Sequence, residues 1–315
     1  MPEEPLVSIV TPSYNMAAFL PETIESVLTQ DYPRIEYLVM DGGSTDGTLE
    51  ILKRYGDRLR YVSAPDRGTA DAINRGCKNS QGSIFAWLSA DDTYLPGAVS
   101  AAVRQLVAAP EIAAVYGEAY WVDDRGEILR RYPTLPFDPK RLGRECFICQ
   151  PACFVRRSAF ERAGMLDSTL QSAFDYDLWI RMAANCRFLH LNRYLATSRM
   201  HSANKTLGSR SQVFAESFRI LKRHYGYLPF QLIHAACSYR VDGRDQFHRP
   251  LEPSFSKYLL SLPFGCWHNR GQMGRFFREW WSVMTWRGFV RRLNDTGLGR
   301  ALDRRAVGRR APPRC

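Results

Sequence analysis

The chain predicts an α/β fold built on a doubly wound, mostly parallel central sheet flanked by helices. Three observations carry that reading. Short apolar runs recur between residues 6 and 88, separated by helical patterns, as strand–helix crossovers require. Each run ends in a polar turn: Thr11-Pro12-Ser13-Tyr14-Asn15, Asp41-Gly42-Gly43-Ser44, Asp66-Arg67-Gly68 and Ser89-Ala90-Asp91-Asp92. Those turns fall on the carboxyl edge of the sheet, where open α/β sheets take their ligands. The run Ile84-Phe85-Ala86-Trp87-Leu88 shows both features, being apolar on both faces and stopping at two adjacent carboxylates.

In chain order, the first strand covers residues 6–11. Pro21 and Glu22 open a helix, because the fixed φ of Pro suits a first turn and Glu complements the helix dipole. Ile24, Val27 and Leu28 form its apolar stripe. The second strand, 35–40, ends at Asp41. The glycines that follow permit close backbone approach, and Ser44, Thr45 or Asp46 caps a helix over 49–55. A third strand at 59–62 leads to Asp66 and a helix over 69–78, with Asp71 and Asn74 in its first turns. The fourth strand is 83–88. Asp91 and Asp92 repel one another unless a cation or hydrogen-bond donors neutralise them. A hard divalent ion shared with substrate phosphates does this. The alternative is that Asp92 simply caps a helix starting near Tyr94-Leu95-Pro96.

The pattern continues with strands at 112–115 and 128–131 around a turn containing Asp123 and Asp124, both read as solvated. Residues 149–157 are strand-like and lead into a short helix ending near Gly164. Asp175 opens a helix over 175–184 and shares its face with Leu178, Trp179 and Met182. An acid on an apolar stripe either caps the helix or has chemistry to do. Asp177 points elsewhere and pairs with Arg181 at i,i+4, as a surface pair would. Two further strands, 187–190 and 194–198, lead to Arg199-Met200-His201, and a helix covers 214–225. Residues 226–270 show no clear pattern. A last helix over 272–285 gathers Met273, Phe276, Phe277, Trp280, Val283 and Met284 opposite Arg275, Arg278, Glu279 and Ser282.

Composition narrows the function. The 315 residues suit a catalytic domain over 1–225 and a mainly helical extension over 226–315. No apolar stretch approaches the ~18 residues of a membrane span, and the start lacks the basic region of a signal peptide. The eight cysteines are irregularly spaced and read as reduced thiols; Cys146, Cys149 and Cys153 lack the second pair of a zinc site. Of the net charge of +11, residues 270–315 carry +9, with twelve Arg and three acids. An anionic partner therefore belongs to the tail, not to the carboxylate-lined sheet edge. That placement argues against a nucleic-acid-binding protein. Neither a Gly-x-Gly-x-x-Gly fingerprint nor a phosphate loop is present.

The turns named above, with Asp71-Ala72-Ile73-Asn74-Arg75-Gly76 and Asp175-Tyr176-Asp177-Leu178-Trp179, resemble in order and spacing the motifs of the inverting family 2 glycosyltransferases. The resemblance covers residues 6–205 and implies a GT-A fold. It implies that Thr11, Tyr14, Asp41 and Asp71 line the nucleoside pocket of a nucleotide-sugar donor, with a UDP-sugar favoured. Asp91 and Asp92 match the family's metal motif, with Asp92 the ligand of Mn²⁺ or Mg²⁺; Ala90 or Ser89 replaces its first acid. Asp175 is the expected general base and Asp177 the second candidate, Phe174 standing where the family has another acid. Arg199 and His201 fall in the segment that closes over the donor diphosphate. The acceptor would be a hydroxyl of a glycan or lipid-linked glycan in cell-surface polysaccharide synthesis. The implied setting is cytoplasmic, peripheral on the inner face of the membrane, with the tail on an anionic membrane surface or packed on the catalytic domain. The competing reading keeps the nucleotide-sugar pocket without catalysis.

Overall fold

Val7–Ser13 (β1) is buried along its whole length, because parallel neighbours flank it and helices cover both faces. Those neighbours are Ile35–Asp41 (β2) and Ile84–Trp87 (β4); Arg60–Ser63 (β3) continues the sheet beyond β2 as an exposed edge. The crossovers are the helices Leu20–Leu28 (α1), Thr48–Tyr55 (α2) and Thr69–Lys78 (α3). This computed structural model describes residues 4–201, 204–243 and 255–284. Its contacts separate two units, Met1–Ser217 and Phe218–Cys315.

In the first unit the strand order is β3-β2-β1-β4-β8-β6-β9-β5, where Thr93–Tyr94 is β5, Ile112–Val122 is β6, Cys153–Arg156 is β8 and Arg187–Arg199 is β9. Ile128–Arg131 (β7) pairs with β6 off this path. β8 runs antiparallel between β4 and β6, while β9 is parallel to β6. The sheet is thus mostly parallel with antiparallel insertions, as the sequence predicts. Ala98–Ala108 (α4) and α1 cover one face, burying Ile9, Ile24, Val39, Ala86, Val99 and Leu106. On the other face Phe85 and Trp87 of β4 meet Phe160 of Arg157–Arg162 (α5), and Trp87 stacks on Trp179 of Phe174–Ala183 (α6), ring centroids 5.6 Å apart. Gly76 of α3 leaves no room for a side chain: a Cβ there would lie 2.5 Å from Val10 of β1.

Three expectations change. The helix after Asp92 does not begin near Tyr94: Thr93–Tyr94 is a strand paired with β9, and α4 starts at Ala98, behind Gly97 in the left-handed region, φ 75°. Asp92 is therefore not a helix cap. The strands expected at 187–190 and 194–198 are one bulged strand, β9, kept continuous by pairing with β6 along its length. Residues 226–270, unpatterned in the sequence, include two helices, Phe230–Asp242 (α9) and Phe255–His268 (α10).

Lys205–Gly208 (α7) lies in the first unit, and Arg210–Tyr225 (α8) begins in the first unit and ends in the second. In the second unit α10 packs on α9 and on Met273–Met284 (α11). Trp280 Nε1 donates to the Tyr258 carbonyl at 3.1 Å, and the Phe276 ring lies against Gly265, where no Cβ would fit. Among the described residues no helix is long and apolar enough to cross a membrane. Residues 285–315, which carry most of the tail's basic charge, lie outside the described residues, as do Ser202 and Ala203.

Candidate active site

The carboxyl ends of β1, β2 and β3 come level, because Ser13 pairs with Asp41 and Asp41 with Ser63. Asp41 is buried there as the acceptor of a dense cap: Ser44 Oγ and Ser63 Oγ each donate at 2.5 Å, and Gly43 N and Ser44 N at 3.1 Å. Asn15, at φ 53°, lies in the left-handed region that Asn tolerates. It binds the first two loops together, donating its N–H to Ser44 Oγ at 2.7 Å and accepting from Thr45 N at 2.8 Å. Asp46 accepts from both Thr48 N and Thr48 Oγ1 at the start of α2.

Above this floor Tyr14 is 61% exposed. A Cβ on Gly42 would come within 3.4 Å of the Tyr14 ring and 3.0 Å of Asp66 Oδ2, so a bare backbone is framed by an aromatic ring and a carboxylate. Asp66 Oδ1 accepts from Gly68 N at 2.7 Å. Asp71 pairs with Arg67 Nη2 at 2.9 Å, and that hydrogen bond, set against burial, holds its carboxyl below the usual range. Asn74 ties α3 to the loop before α6 by exchanging two hydrogen bonds with Leu166. Thr11 is buried beneath the edge, hydrogen-bonded to the Tyr37 hydroxyl at 3.0 Å.

Asp91 and Asp92 sit where the chain turns between β4 and β5, a turn closed by Asp92 N donating to Ser89 O. Asp91 Oδ2 meets His201 Nε2 at 3.0 Å, and Asp92 Oδ1 accepts from Arg199 N at 2.8 Å. Burial, and after it the neighbouring Asp91 charge, pushes the Asp92 carboxyl well above its ordinary range. Arg199 is buried and internally engaged: it donates to the carbonyls of Asp91, Asp123 and Asp124 and to Glu22 Oε2. The Asp123–Asp124 turn expected to be solvated is thus anchored by its backbone to the site. The Phe19 ring lies beside both partners, 5.1 Å from the Arg199 guanidinium and 4.7 Å from His201. Thr23 Oγ1 donates to the Asp92 carbonyl at 2.8 Å. The start of α1 therefore packs against the acidic turn.

Asp175 lies in the first turn of α6, accepting from Tyr176 N at 2.8 Å. Burial pushes its carboxyl up to about 6. Its charge reaches Tyr132, Cys146, Cys149 and Cys153, and Cys149 also feels Asp92. The three thiols are thus within electrostatic reach of Asp175, and Cys149 of Asp92 as well, while burial pushes all three up. Asp177 forms the expected pair with Arg181, Nε to Oδ2 2.7 Å, but the pair is not on the surface: the Asp177 side chain is fully buried. Arg181 continues to the carbonyls of Ala163 and Met165. Among the described residues no group of three or more His, Cys, Asp or Glu is arranged to hold a metal by itself. Asp91 and Asp92 are the carboxylates that could hold a divalent ion together with substrate phosphates.

Several residues here were not singled out from the sequence. Glu22 reads as a dipole partner, yet its long-range role is to meet Arg199. Glu216 of α8 lies past the last recognisable motif. Its buried carboxylate accepts from the backbone N–H groups of Gln171, Ser172 and Ala173 at 2.9–3.0 Å, the segment that leads into α6. Burial alone would raise that carboxyl, but these bonds hold it below its ordinary range. No local pattern signals either contact, because each joins elements far apart in sequence.

Residues 8–164 match the model of the glycosyl transferase family 2 domain. An uncharacterized glycosyltransferase of Rickettsia prowazekii is 31% identical over 217 residues, 66% of this chain and 68% of the relative. A chondroitin synthase of Pasteurella multocida is 28% identical over 207 residues, 64% of this chain but only 21% of that protein. Among solved structures, S. aureus TarS 1–349 in complex with UDP-GlcNAc aligns with a TM-score of 0.59 at 14% identity, covering 86% of this chain and 83% of that one. The mannosyltransferase PcManGT of Pyrobaculum calidifontis, in complex with GDP-Man and Mn²⁺, aligns with a TM-score of 0.53 at 18% identity, covering 98% and 80%. Such structural likeness speaks to the fold. With a relative this similar matched over two thirds of its length and the family domain matched from β1 to beyond α5, the chain belongs to glycosyltransferase family 2.

Proposed function

We propose that this protein moves a sugar, with inversion, from a nucleotide-sugar donor to a hydroxyl of a glycan or lipid-linked acceptor. A UDP-sugar is the favoured donor, in keeping with the UDP-GlcNAc of the TarS complex; the GDP-Man of PcManGT is the competing precedent. The similarity to a chondroitin synthase supports a glycan acceptor. The observation that carries the proposal is Asp175: an acid in the first turn of α6, its carboxylate accepting from Tyr176 N and pushed up to about 6 by burial. A carboxyl of that pKa is ionised at pH 7 yet more basic than an exposed one, which suits a general base.

In the proposed reaction Asp175 takes the proton of the acceptor hydroxyl as its oxygen attacks the anomeric carbon. The bond to the diphosphate breaks on the opposite face, and its electron pair leaves with the nucleoside diphosphate. Tyr14, Gly42 and Asp66 frame the place for the nucleoside, and Thr11 and Asp41 support that floor from beneath. Asp71 acts through Arg67. Asp91 and Asp92 would hold Mn²⁺ or Mg²⁺; the strained ionisation of Asp92 beside Asp91 fits a site completed by a cation. Bound there, the ion supplies neutralisation of charge on the leaving diphosphate. Arg199 and His201 hold the Asp91–Asp92 turn in position.

The test is a panel of nucleotide sugars screened for thermal stabilisation with and without Mn²⁺, followed by NMR of the anomeric configuration of the product. At least one donor should raise the melting temperature and yield an inverted product. A retained anomer removes the base assignment. Stabilisation without any turnover supports the binding-protein reading instead.

A further inference from the structure

The α11 helix divides its aromatic residues between two jobs. Phe276 and Trp280 are 0% and 5% exposed and pack on α10 and α9. Met273, Phe277 and Trp281, spaced four residues apart, form a second row on the same helix and are 50%, 46% and 59% exposed. The Phe277 and Trp281 rings stack with centroids 6.1 Å apart. This is a continuous apolar strip presented to solvent, with nothing among the described residues covering it. The sequence offered membrane contact and packing as alternatives for one apolar face. The structure assigns packing to Phe276 and Trp280 and leaves Met273, Phe277 and Trp281 uncovered.

Arginines share the helix with the row. Arg278 is exposed, one residue from Phe277 and three from Trp281, while Arg275 lies on the opposite face, over the Tyr227 ring and paired with Glu279. In the last turn of α10, exposed Trp267 has the Arg270 guanidinium 3.7 Å from its ring centroid. The chain beyond the Trp281 end adds nine Arg against two acids in residues 285–315. Exposed aromatics set among arginines are what the interface of an anionic bilayer takes: rings reach the acyl boundary while guanidinium groups meet lipid phosphates. A nucleic acid would use the charge and leave the apolar row without a partner.

We propose that the row Met273, Phe277 and Trp281 of α11 is a peripheral docking surface for an anionic lipid bilayer. Attachment is reversible and needs both the aromatic row and the exposed arginines Arg270 and Arg278. The surface places the enzyme beside a lipid-linked acceptor; this meaning rests on the transferase reading, but the surface itself does not.

The experiment uses the full chain and a Phe277→Ser/Trp281→Ser double variant, both positions being exposed and outside the active site. Co-sedimentation is measured with phosphatidylglycerol-containing and purely phosphatidylcholine vesicles at low and high salt, with donor hydrolysis as the control. The full chain should bind anionic vesicles, release with salt and ignore neutral ones. The double variant should lose about tenfold or more in partitioning while hydrolysing donor unchanged. Binding that ignores the double substitution overturns the proposal. So does salt-sensitive binding to duplex DNA of equal strength. A dimer in sedimentation equilibrium that the double variant abolishes, without vesicle binding, assigns the row to a second copy instead. If hydrolysis fails in both proteins but vesicle binding follows the pattern above, the transferase reading falls and the docking surface stands.

Discussion

The turn after β4 and the first turn of α6 both present aspartates, and the protein treats them in opposite ways. At the β4 turn two acids are set side by side, and donors are brought to them from afar: Arg199 N to Asp92, His201 to Asp91 and Thr23 to the Asp92 backbone. Even so, burial leaves Asp92 hard to ionise. At α6 the two acids are separated by one residue and by fate. Asp177 is buried and neutralised by Arg181, while Asp175 accepts from the Tyr176 N–H and is raised by burial. The lesson is that acidity alone marks nothing. Which charge the fold leaves incompletely compensated is set by neighbours, and the proposed function rests on that difference.

The largest effect that could break this comparison is at Asp92. Asp92→Asn keeps the shape and removes a charge, so transfer should fall about a thousandfold or more. The melting temperature should stay level or rise, because a buried like-charge pair has been relieved. Near-full transfer at low Mn²⁺ concentration would remove Asp92 from the metal site.

Asp175→Asn should lower turnover about a hundredfold while donor affinity persists. The pH dependence sharpens this. Since the folded carboxyl titrates near 6, above its ordinary value of 3.8, turnover should rise with pH and level off above about 6. Stability has the opposite sign: the folded state binds the extra proton between 3.8 and about 6, so this residue's contribution declines across that window and is flat above it. Both trends should vanish in Asp175→Asn. A pH profile unchanged by the substitution would make Asp175 a structural acid.

Asp177→Asn should affect folding, not chemistry. Loss of the buried partner of Arg181 should reduce stability by about 2–3 kcal/mol, somewhat less than for a fully buried pair because Arg181 reaches the surface. Turnover per folded molecule should change little. If the folded variant is dead, the base is Asp177.

The smallest expected effect is at Glu216. Glu216→Gln weakens three backbone hydrogen bonds before α6, so Asp175 should be held less well and kcat should fall about three- to tenfold with KM for donor unchanged. A shifted acid limb in the pH profile would accompany it. A matched fall in stability with kcat intact would confine Glu216 to folding.

Local sequence determined the strands and helices of the first unit, because their patterns are local: apolar runs, Gly and Asp turns, Pro and Glu at helix starts. It also determined which acids stand at the carboxyl edge, since a strand end is legible where an apolar run stops. The boundaries of β1 to β4 shifted by one or two residues, but β6 runs to Val122 instead of ending at 115, and β8 is confined to Cys153–Arg156 within the expected 149–157. β5 stands where a helix start was expected, and α9 and α10 went unread. In α10 a helix-interior Pro263 obscures the period, and in α9 apolar residues are spread around the helix instead of forming a clean stripe. Only the tertiary structure decided what each acid meets. Arg199 reaches Glu22 across 177 residues of chain and Asn74 reaches Leu166 across 92. The burial that raises Asp175, and the neutralisation of Asp177, come from the side chains and backbone that fold around α6. Likewise, α11 carries one apolar face in its sequence, and only packing against α9 and α10 divides it into a covered seam and an open row. Periodicity specifies which way a side chain faces along its own element; what stands opposite depends on contacts that no local pattern contains.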